Sequence, residues 1–340
     1  MELNVLTELN LEPLLGRRHI HTLDVIIPCH NEQEVVTVTH QRLTRILSDL
    51  VARKKISSYT LLFVDNGSTD ETLPLLLKLF NQDPHMTVVT LRNNFEFQGS
   101  ISAGLYHSKA DAAITIDADL QDPPEKIESM IEKYEEGFDL VLGVRGDRKA
   151  DTFFKRTTAQ WYYTLLRFLG VPIVPHHGDF RLMSKELVAL FNQLPERNRF
   201  IRAMVIQLDA KYAIVRYQRE PRRGGYSKFS LSSLISFGLD GITSYSYSPL
   251  RIAGVMGFFF FLLSFICMGF VLYAKWTHDR VPGWASILCF LLFFSGLQLL
   301  FLGMIGEYIG KIYKEIKQRP LFVVRKKYSH TRPPGHPFST

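Results

Sequence analysis

The chain has 340 residues, 46% of them hydrophobic, with 40 Lys and Arg against 33 Asp and Glu for a formal net charge of +7. That length holds one full α/β domain plus something smaller, and three cysteines without metal spacing (Cys29, Cys267 and Cys289) argue against a disulfide framework or a zinc site. No nucleic-acid motif accompanies the basic residues, which cluster beside two long apolar stretches, so the charge points to an anionic membrane surface.

Met1 to Arg18 lacks the continuous apolar segment of a signal peptide. Strand-like runs at Leu23–Ile27, Thr60–Val64, Thr87–Leu91, Ala112–Ile116 and Leu140–Val144 then alternate with Glu32–Leu50, Leu73–Phe80, Ser100–His107 and Glu125–Glu135, whose apolar residues recur at helical spacing. The alternation predicts a mostly parallel sheet with right-handed crossovers, which sets the carboxyl ends of the strands along one edge. Most polar clusters fall there: Pro28-Cys29-His30-Asn31-Glu32, Asp65 to Asp70, Arg92-Asn93-Asn94, Asp117-Ala118-Asp119 and Gly143-Val144-Arg145.

Asp117 and Asp119 are the most informative of these. Two hard oxygen donors spaced i, i+2 at a strand end can hold Mg²⁺ or Mn²⁺, with diphosphate oxygens completing the octahedron. The same stretch reads as a helix start, with Asp122 as N-cap and Pro123-Pro124 in the first turn; the two readings are compatible. In Asp65 to Asp70, Gly67 permits a tight turn and Ser68 or Asp70 caps, while Asp65 at the strand tip is placed to accept hydrogen bonds from a base edge or a ribose hydroxyl. Neither a Walker loop nor a G-x-G-x-x-G fingerprint is present, which counts against kinases and dinucleotide oxidoreductases.

Beyond residue 150 the pattern predicts a helix over Asp151 to Leu169 and a short strand at Gly178–Met183; His176-His177 reads as loop polarity, since neighbouring strand residues point to opposite faces. The loop Arg222 to Lys228 reads either as positive-inside charge or as a basic flap that brings cations onto a phosphate at a bilayer surface. Phe229 to Tyr247 has helical apolar spacing and precedes a span, which predicts an interfacial amphipathic helix. Ile252–Ala274 and Val281–Gly306 contain no charge. About 23 residues of helix reach roughly 35 Å against a hydrocarbon core of ~30 Å, so both can span. Basic residues flank the pair and the connector has only Lys275 and Arg280, so the sheet domain and both termini are expected on the cytoplasmic side of the inner (plasma) membrane. The tail beyond Arg319 is expected to be mobile at its end. The boundaries that follow are a sheet domain at 1–228, a juxtamembrane helix at 229–248, a membrane hairpin at 249–310 and a basic tail at 311–340.

Ile26-Ile27-Pro28-Cys29-His30-Asn31-Glu32, Val64 to Asp70, Asp117-Ala118-Asp119-Leu120-Gln121, Gly178-Asp179-Phe180-Arg181 and Ser227-Lys228-Phe229, in that order and followed by two spans and Gly306-Glu307-Tyr308-Ile309-Gly310, resemble the family 2 glycosyltransferases of the GT-A fold. Within them the chain is similar, over nearly its whole length, to the polyprenyl-phosphate (bactoprenol) glycosyltransferases. The resemblance implies a GT-A Rossmann-like domain that transfers a sugar, glucose first and N-acetylglucosamine next, from a UDP-sugar to polyprenyl (undecaprenyl) phosphate. Pro28, Asn31, Glu32 and Asp65 would hold the uridine, with Asp117 contributing. Asp117, Asp119 and Gln121 would form the Mg²⁺ or Mn²⁺ and diphosphate site. Asp179 matches the family's presumed base, which with Asp119 makes the catalytic pair. Arg145, Arg222, Ser227 and Lys228 would face the lipid phosphate. The resemblance also implies a tetramer. Cys29-His30 departs from relatives that carry an aromatic before the Asn.

A polyprenyl monophosphate is largely a dianion at pH 7, so it needs little activation, and Asp179 could instead orient hydroxyls or position an arginine. A single displacement by that phosphate would invert the anomeric carbon. Competing readings are a non-catalytic sugar-nucleotide-binding membrane subunit and a processive polysaccharide synthase; the latter predicts more spans and a Gln-x-x-Arg-Trp segment that the chain lacks.

Overall fold

The computed structural model of the protein describes residues 18–146, 164, 169–170, 172–208, 211–218, 243, 246–277 and 283–330. Its strands are β1 (Thr22–Cys29), β2 (Ser58–Asp65), β3 (Met86–Leu91), β4 (Ala112–Thr115), β5 (Leu140–Arg145), β6 (His177–Ser184), β7 (Tyr212–Tyr217) and β8 (Val324–Ser329). Among the described residues they make one sheet in the order β7-β5-β6-β4-β1-β2-β3-β8. β1 is parallel to β2 and β4, β2 to β3, and β5 to β7. β6 is antiparallel to both of its neighbours and β8 is antiparallel to β3. The first residues of β6 therefore lie at the same edge as the last residues of β1 to β5 and β7, the edge where such sheets bind ligands.

The central strands are continuous apolar runs because helices cover both faces. On one face Leu43, Leu47 and Leu50 of α1 (Val36–Ala52), Leu76 of α2 (Thr72–Phe80) and Ile127, Met130 and Ile131 of α4 (Ile127–Glu135) share a core with Val25, Ile27 and Phe63. The other face buries Ile101 and Leu105 of α3 (Glu96–His107), Phe191 of α5 (Lys185–Gln193) and Met204 of α6 (Ile201–Leu208) against Ile26, Val64 and Leu142. Each fully buried aliphatic side chain contributes about 1.5–3 kcal/mol. Pro28 sits in a central strand without penalty. Its ladder with β4 ends at Ile26, whose carbonyl accepts from Ile116 N, so the missing N–H falls where the neighbouring strand has already turned away.

α7 (Ser248–Thr277) and α8 (Trp284–Ile316) are long and apolar enough to cross a membrane, with mean hydropathy of 1.9 over Ser248–Ile266 and 1.3 over Phe293–Ile316. Phe258, Phe259, Phe261, Phe290 and Phe293 are exposed along them, an apolar surface of the kind that marks a membrane or protein interface. Phe260 and Phe294 meet edge to face at 5.2 Å and link the two helices.

Part of the basic tail joins the sheet: α8 runs to Ile316, and the chain then returns as β8, whose residues Ser329 to Val324 pair with Thr87 to Leu91, while the end of the tail, 331–340, lies outside the described residues. Thr90 Oγ1 donates to the Lys326 carbonyl at 3.1 Å, and Tyr328 packs on Phe80. Both ends of the hairpin thus attach to the same domain. The expected helices over 151–169 and 229–247 lie outside the described residues, apart from isolated positions.

Candidate active site

The β1–α1 and β2–α2 loops are zipped together by reciprocal hydrogen bonds. Asn31, in the left-handed region at φ 54°, donates its N–H to Ser68 Oγ (3.1 Å) and accepts from Thr69 N through Oδ1 (2.8 Å). Glu32 N donates to Thr72 Oγ1 at 2.8 Å, and Glu71 N to Gln33 Oε1 at 3.0 Å. Asn66, buried, holds the next loop: its Nδ2 donates to Asn94 Oδ1 and the Glu96 carbonyl, and its Oδ1 accepts from Phe95 N. His30 bridges the same wall through Nδ1 to the Asn66 carbonyl and Nε2 to Asn94. Gly67, at φ +67°, lets the backbones meet, since a Cβ there would lie 2.7 Å from the Asn93 carbonyl carbon. Asp65 is buried beneath this loop and accepts from Ser68 N (3.2 Å); burial raises its carboxyl above the usual range.

Asp117 and Asp119 follow β4 at the middle of the edge. Thr39 Oγ1, buried on α1, donates to the Ala118 carbonyl at 2.6 Å and fixes the turn between them. Asp119 Oδ1 accepts from Gln121 N at 3.1 Å across Leu120, whose φ is 54°. Asp117 Oδ1 is wholly buried and has no hydrogen-bond partner. Its carboxyl is pushed up to about 8 by burial and by the charges of Asp122, Asp179 and Asp119, with Arg145 opposing. An orphaned carboxylate oxygen among other carboxylates is the arrangement that a divalent cation relieves, so Asp117 and Asp119 fit Mg²⁺ or Mn²⁺. Gln121, half-buried beside them, is held by its backbone.

Asp122 is not the N-cap that its place before two prolines suggests. It is fully buried, and the 3-10 turn Pro124–Lys126 carries no side-chain cap. Instead its carboxylate accepts from Tyr217 Oη at 2.6 Å and pairs with Arg145, Nε to Oδ1 at 3.4 Å. Burial alone would lower the Arg145 guanidinium, but Asp122, Tyr217 and Asp117 raise it, so it stays charged. Arg145 lies flat on the chain at Gly178, where a Cβ would meet its guanidinium at 3.0 Å. It is a wall of the carboxylate cluster, held from within.

Asp179 is opposite. Its carbonyl accepts from Thr115 Oγ1, and its carboxylate lies between two guanidiniums: Arg181 Nη2 on Oδ1, and Arg202 Nη2 on Oδ2 at 2.6 Å. Burial raises the carboxyl, but Arg202 and Arg181 outweigh it and hold it well below the usual carboxylate range. Such a group is a poor proton acceptor at neutral pH. His177, expected as loop polarity, is the first residue of β6 and buried, with neither ring nitrogen partnered. Burial and the cations Arg181, Arg202 and Arg145 push its imidazole well down, so it is neutral.

Pro28, Asn31, Glu32, Asp65, Asp117, Asp119, Gln121, Arg145 and Asp179 therefore converge on one edge. Arg222, Ser227 and Lys228 lie outside the described residues. Sequence reasoning missed Arg202, Tyr217, Thr39 and the inward turn of Asp122, and it read His177 as loop polarity. Of the four missed features only Asp122 had a signal, its place in an Asp-rich strand end.

Residues 24–191 match the family model described as glycosyl transferase family 2, and residues 248–312 match the GtrB C-terminal hairpin. The glycosyltransferase YkcC of Bacillus subtilis is 40% identical over 92% of this chain and 95% of its own length. A SfII prophage-derived bactoprenol glucosyl transferase of Shigella flexneri is 37% identical over 90% of this chain and 98% of its own. A prophage bactoprenol glucosyl transferase homolog of Escherichia coli is 34% identical over 89% and 98%.

Proposed function

The chain belongs to glycosyl transferase family 2, and from that premise we propose that it transfers glucose from UDP-glucose to a polyprenyl phosphate at the cytoplasmic face of a membrane. One observation carries the reading: Asp117, with its unpartnered buried oxygen, stands at a sheet edge with Asp119, while the chain's two apolar helices return to that same sheet through β8.

The zipped loops around Asn31, Glu32 and Asp65 form the uridine wall, with Pro28 supporting it from β1. Asp117 and Asp119, with Gln121 at the rim, are the groups that would hold Mg²⁺ or Mn²⁺. Bound there, the cation would neutralise charge that builds on the departing UDP. In the displacement, an oxygen of the acceptor phosphate forms a bond to the anomeric carbon as the bond from that carbon to the UDP oxygen breaks, and the electron pair leaves with UDP. The configuration inverts.

No base is needed for this step, since the acceptor phosphate is already largely dianionic at pH 7. Asp179 then serves as a positioning group: it neutralises Arg181 beneath the site and aims Arg202, whose side chain is 24% exposed, at the edge. Arg202 and Arg145, with Arg222, Ser227 and Lys228 from the basic loop, would meet the lipid phosphate. Return of the chain through β8 supports placing both ends of the hairpin on the side of the sheet domain, and the basic residues flanking the spans support the cytoplasmic side. The proposal includes a homo-oligomer, tetrameric by resemblance, which mass photometry in nanodiscs tests.

The experiment for the whole reading is incubation of the full chain in nanodiscs with single UDP-sugars, Mg²⁺ or Mn²⁺, and undecaprenyl phosphate, followed by analysis of the lipid and its anomeric configuration. Glucose on the lipid phosphate with inversion supports it. Binding of UDP-glucose without turnover on any prenyl phosphate would favour a non-catalytic subunit, and polymer would favour a synthase.

A further inference from the structure

Where α8 ends and the chain turns back toward β8, a cavity of about 580 Å³ opens between the last turns of α8, the first turn of α3 and the segment that leads into α6. Arg197 and Arg199 reach it from that segment, Lys314 and Lys317 from α8, and Arg319 from the turn before β8; Glu96 is the one acidic residue in its wall. Arg199 is engaged with the Leu194 carbonyl and stacks on Phe191, and Lys317 lies over the Tyr313 ring at 4.3 Å. The side chains of Arg197, Lys314 and Arg319 have no ion-pair or hydrogen-bond partner among the described residues.

Glu315, on the same helix, forms no ion pair with these cations: its carboxylate accepts from Arg197 N at 3.0 Å and from Asn198 N at 2.7 Å and fastens the segment to α8, so the five basic residues still outnumber Glu96 and Glu315. Three unpartnered cations from three parts of the chain, Arg197 half-buried and Lys314 and Arg319 exposed, thus line one concavity, a concentration of positive charge that attracts an anion. The floor is mixed, with Phe95, Tyr313 and Leu321 beside the cations. The apolar stretch Phe293–Ile316 ends at its mouth, which sets the cavity at headgroup depth if α8 spans.

We propose that this cavity binds the phosphate group of an anionic glycerophospholipid, at a site separate from the acceptor clamp of Arg145, Arg202 and the basic loop. It rests on the reading of α7 and α8 as membrane spans. The phosphate sits among Arg197, Lys314 and Arg319, the glycerol end contacts Tyr313 and Leu321, and the acyl chains follow α8 into the bilayer. Inorganic phosphate shares the recognised chemistry but not the apolar contacts.

The test uses the full chain in nanodiscs of phosphatidylcholine alone or mixed with phosphatidylglycerol, and in lipid-free micelles with inorganic phosphate. Lipid retained after extraction is counted by native mass spectrometry for the wild type and for a triple variant Arg197→Gln, Lys314→Gln, Arg319→Gln, with Lys326→Gln, a basic residue outside the cavity, as control. The expected result is phosphatidylglycerol retained at least tenfold more by the wild type and the control than by the triple variant, with the KM for undecaprenyl phosphate unchanged in all. Equal retention by the inserted wild type and triple variant overturns the site. A raised KM for undecaprenyl phosphate with unchanged phosphatidylglycerol retention overturns its separateness from the acceptor clamp. Binding of inorganic phosphate in lipid-free micelles that the triple variant loses, with equal phosphatidylglycerol and phosphatidylcholine retention in nanodiscs, overturns the lipid source. Failure of the wild type to insert at all strikes the membrane reading instead.

Discussion

Arg202 Nη2 donates to Asp179 Oδ2 at 2.6 Å, joining a short helix to the antiparallel strand at the centre of the sheet edge. Arg181, fully buried, takes the other carboxylate oxygen. Asp179 is thus the anion of a three-membered ion cluster. Asp179→Asn is expected to lower kcat by roughly a hundredfold, leaving a measurable rate, and to cost stability on the order of 3–5 kcal/mol, because two guanidiniums lose their counter-charge. The wild-type kcat profile is expected to show no limb from Asp179 above roughly pH 5, its carboxyl being held below the usual carboxylate range. An acidic limb near neutrality that vanishes in a well-folded Asp179→Asn protein would restore the role of base.

His177 gives a stability signature. Its imidazole is pushed down in the folded state by burial and by Arg181, so below about pH 6.5 the unfolded chain takes up a proton that the folded chain refuses. Stability is therefore fully present above that pH and declines as pH falls through it, by up to ~1.4 kcal/mol per unit for this one group. His177→Gln is expected to flatten the decline between roughly pH 6.5 and 5. Identical pH slopes for the two proteins in thermal unfolding would contradict it.

Tyr217 supplies the Asp122 carboxylate with its 2.6 Å hydrogen bond inside the core. Tyr217→Phe removes the donor and leaves the oxygen to Arg145 alone, an expected loss of about 1–3 kcal/mol. Thermal unfolding with UDP present and absent separates this from a binding effect: the melting temperature falls in both, and the shift on adding UDP stays the same. An unchanged melting temperature would show that Arg145 suffices.

The pairing of β8 with β3 closes an edge that would otherwise be open. Lys326→Pro, opposite Thr90, is expected to break the ladder and raise amide exchange in β3 at least tenfold, while β1 and β4 stay protected. Unaltered protection in β3 would mean that the strand contributes nothing to the edge.

The five parallel-type strands and their polar tips are legible in the sequence because a covered strand is a continuous apolar run and its end is abrupt. Asp117 and Asp119 are found by that rule, and Asp65 with them. Arg202 is not, since helix α6 delivers it from 23 positions beyond Asp179 by tertiary packing alone, with no spacing to read. Asp122 misleads for a local reason: Asp before two prolines is a fair cap, and only β7, bringing Tyr217 across, draws it inward. β8 is concealed by its composition, since Arg325, Lys326 and Lys327 are the charges expected of an edge strand as well as of a free tail.

The central claim is that Asp117 and Asp119 support transfer of glucose from UDP-glucose to a lipid phosphate. Its most direct measurement follows radiolabel from UDP-glucose into undecaprenyl phosphate by full-length protein in nanodiscs, with Asp117→Asn and Asp119→Ala beside the wild type and each reaction repeated in excess chelator. The account predicts labelled lipid phosphate from the wild type with the metal, a loss of at least a hundredfold in both variants, and a similar loss with chelator. Full labelling by either variant, or in chelator, contradicts it.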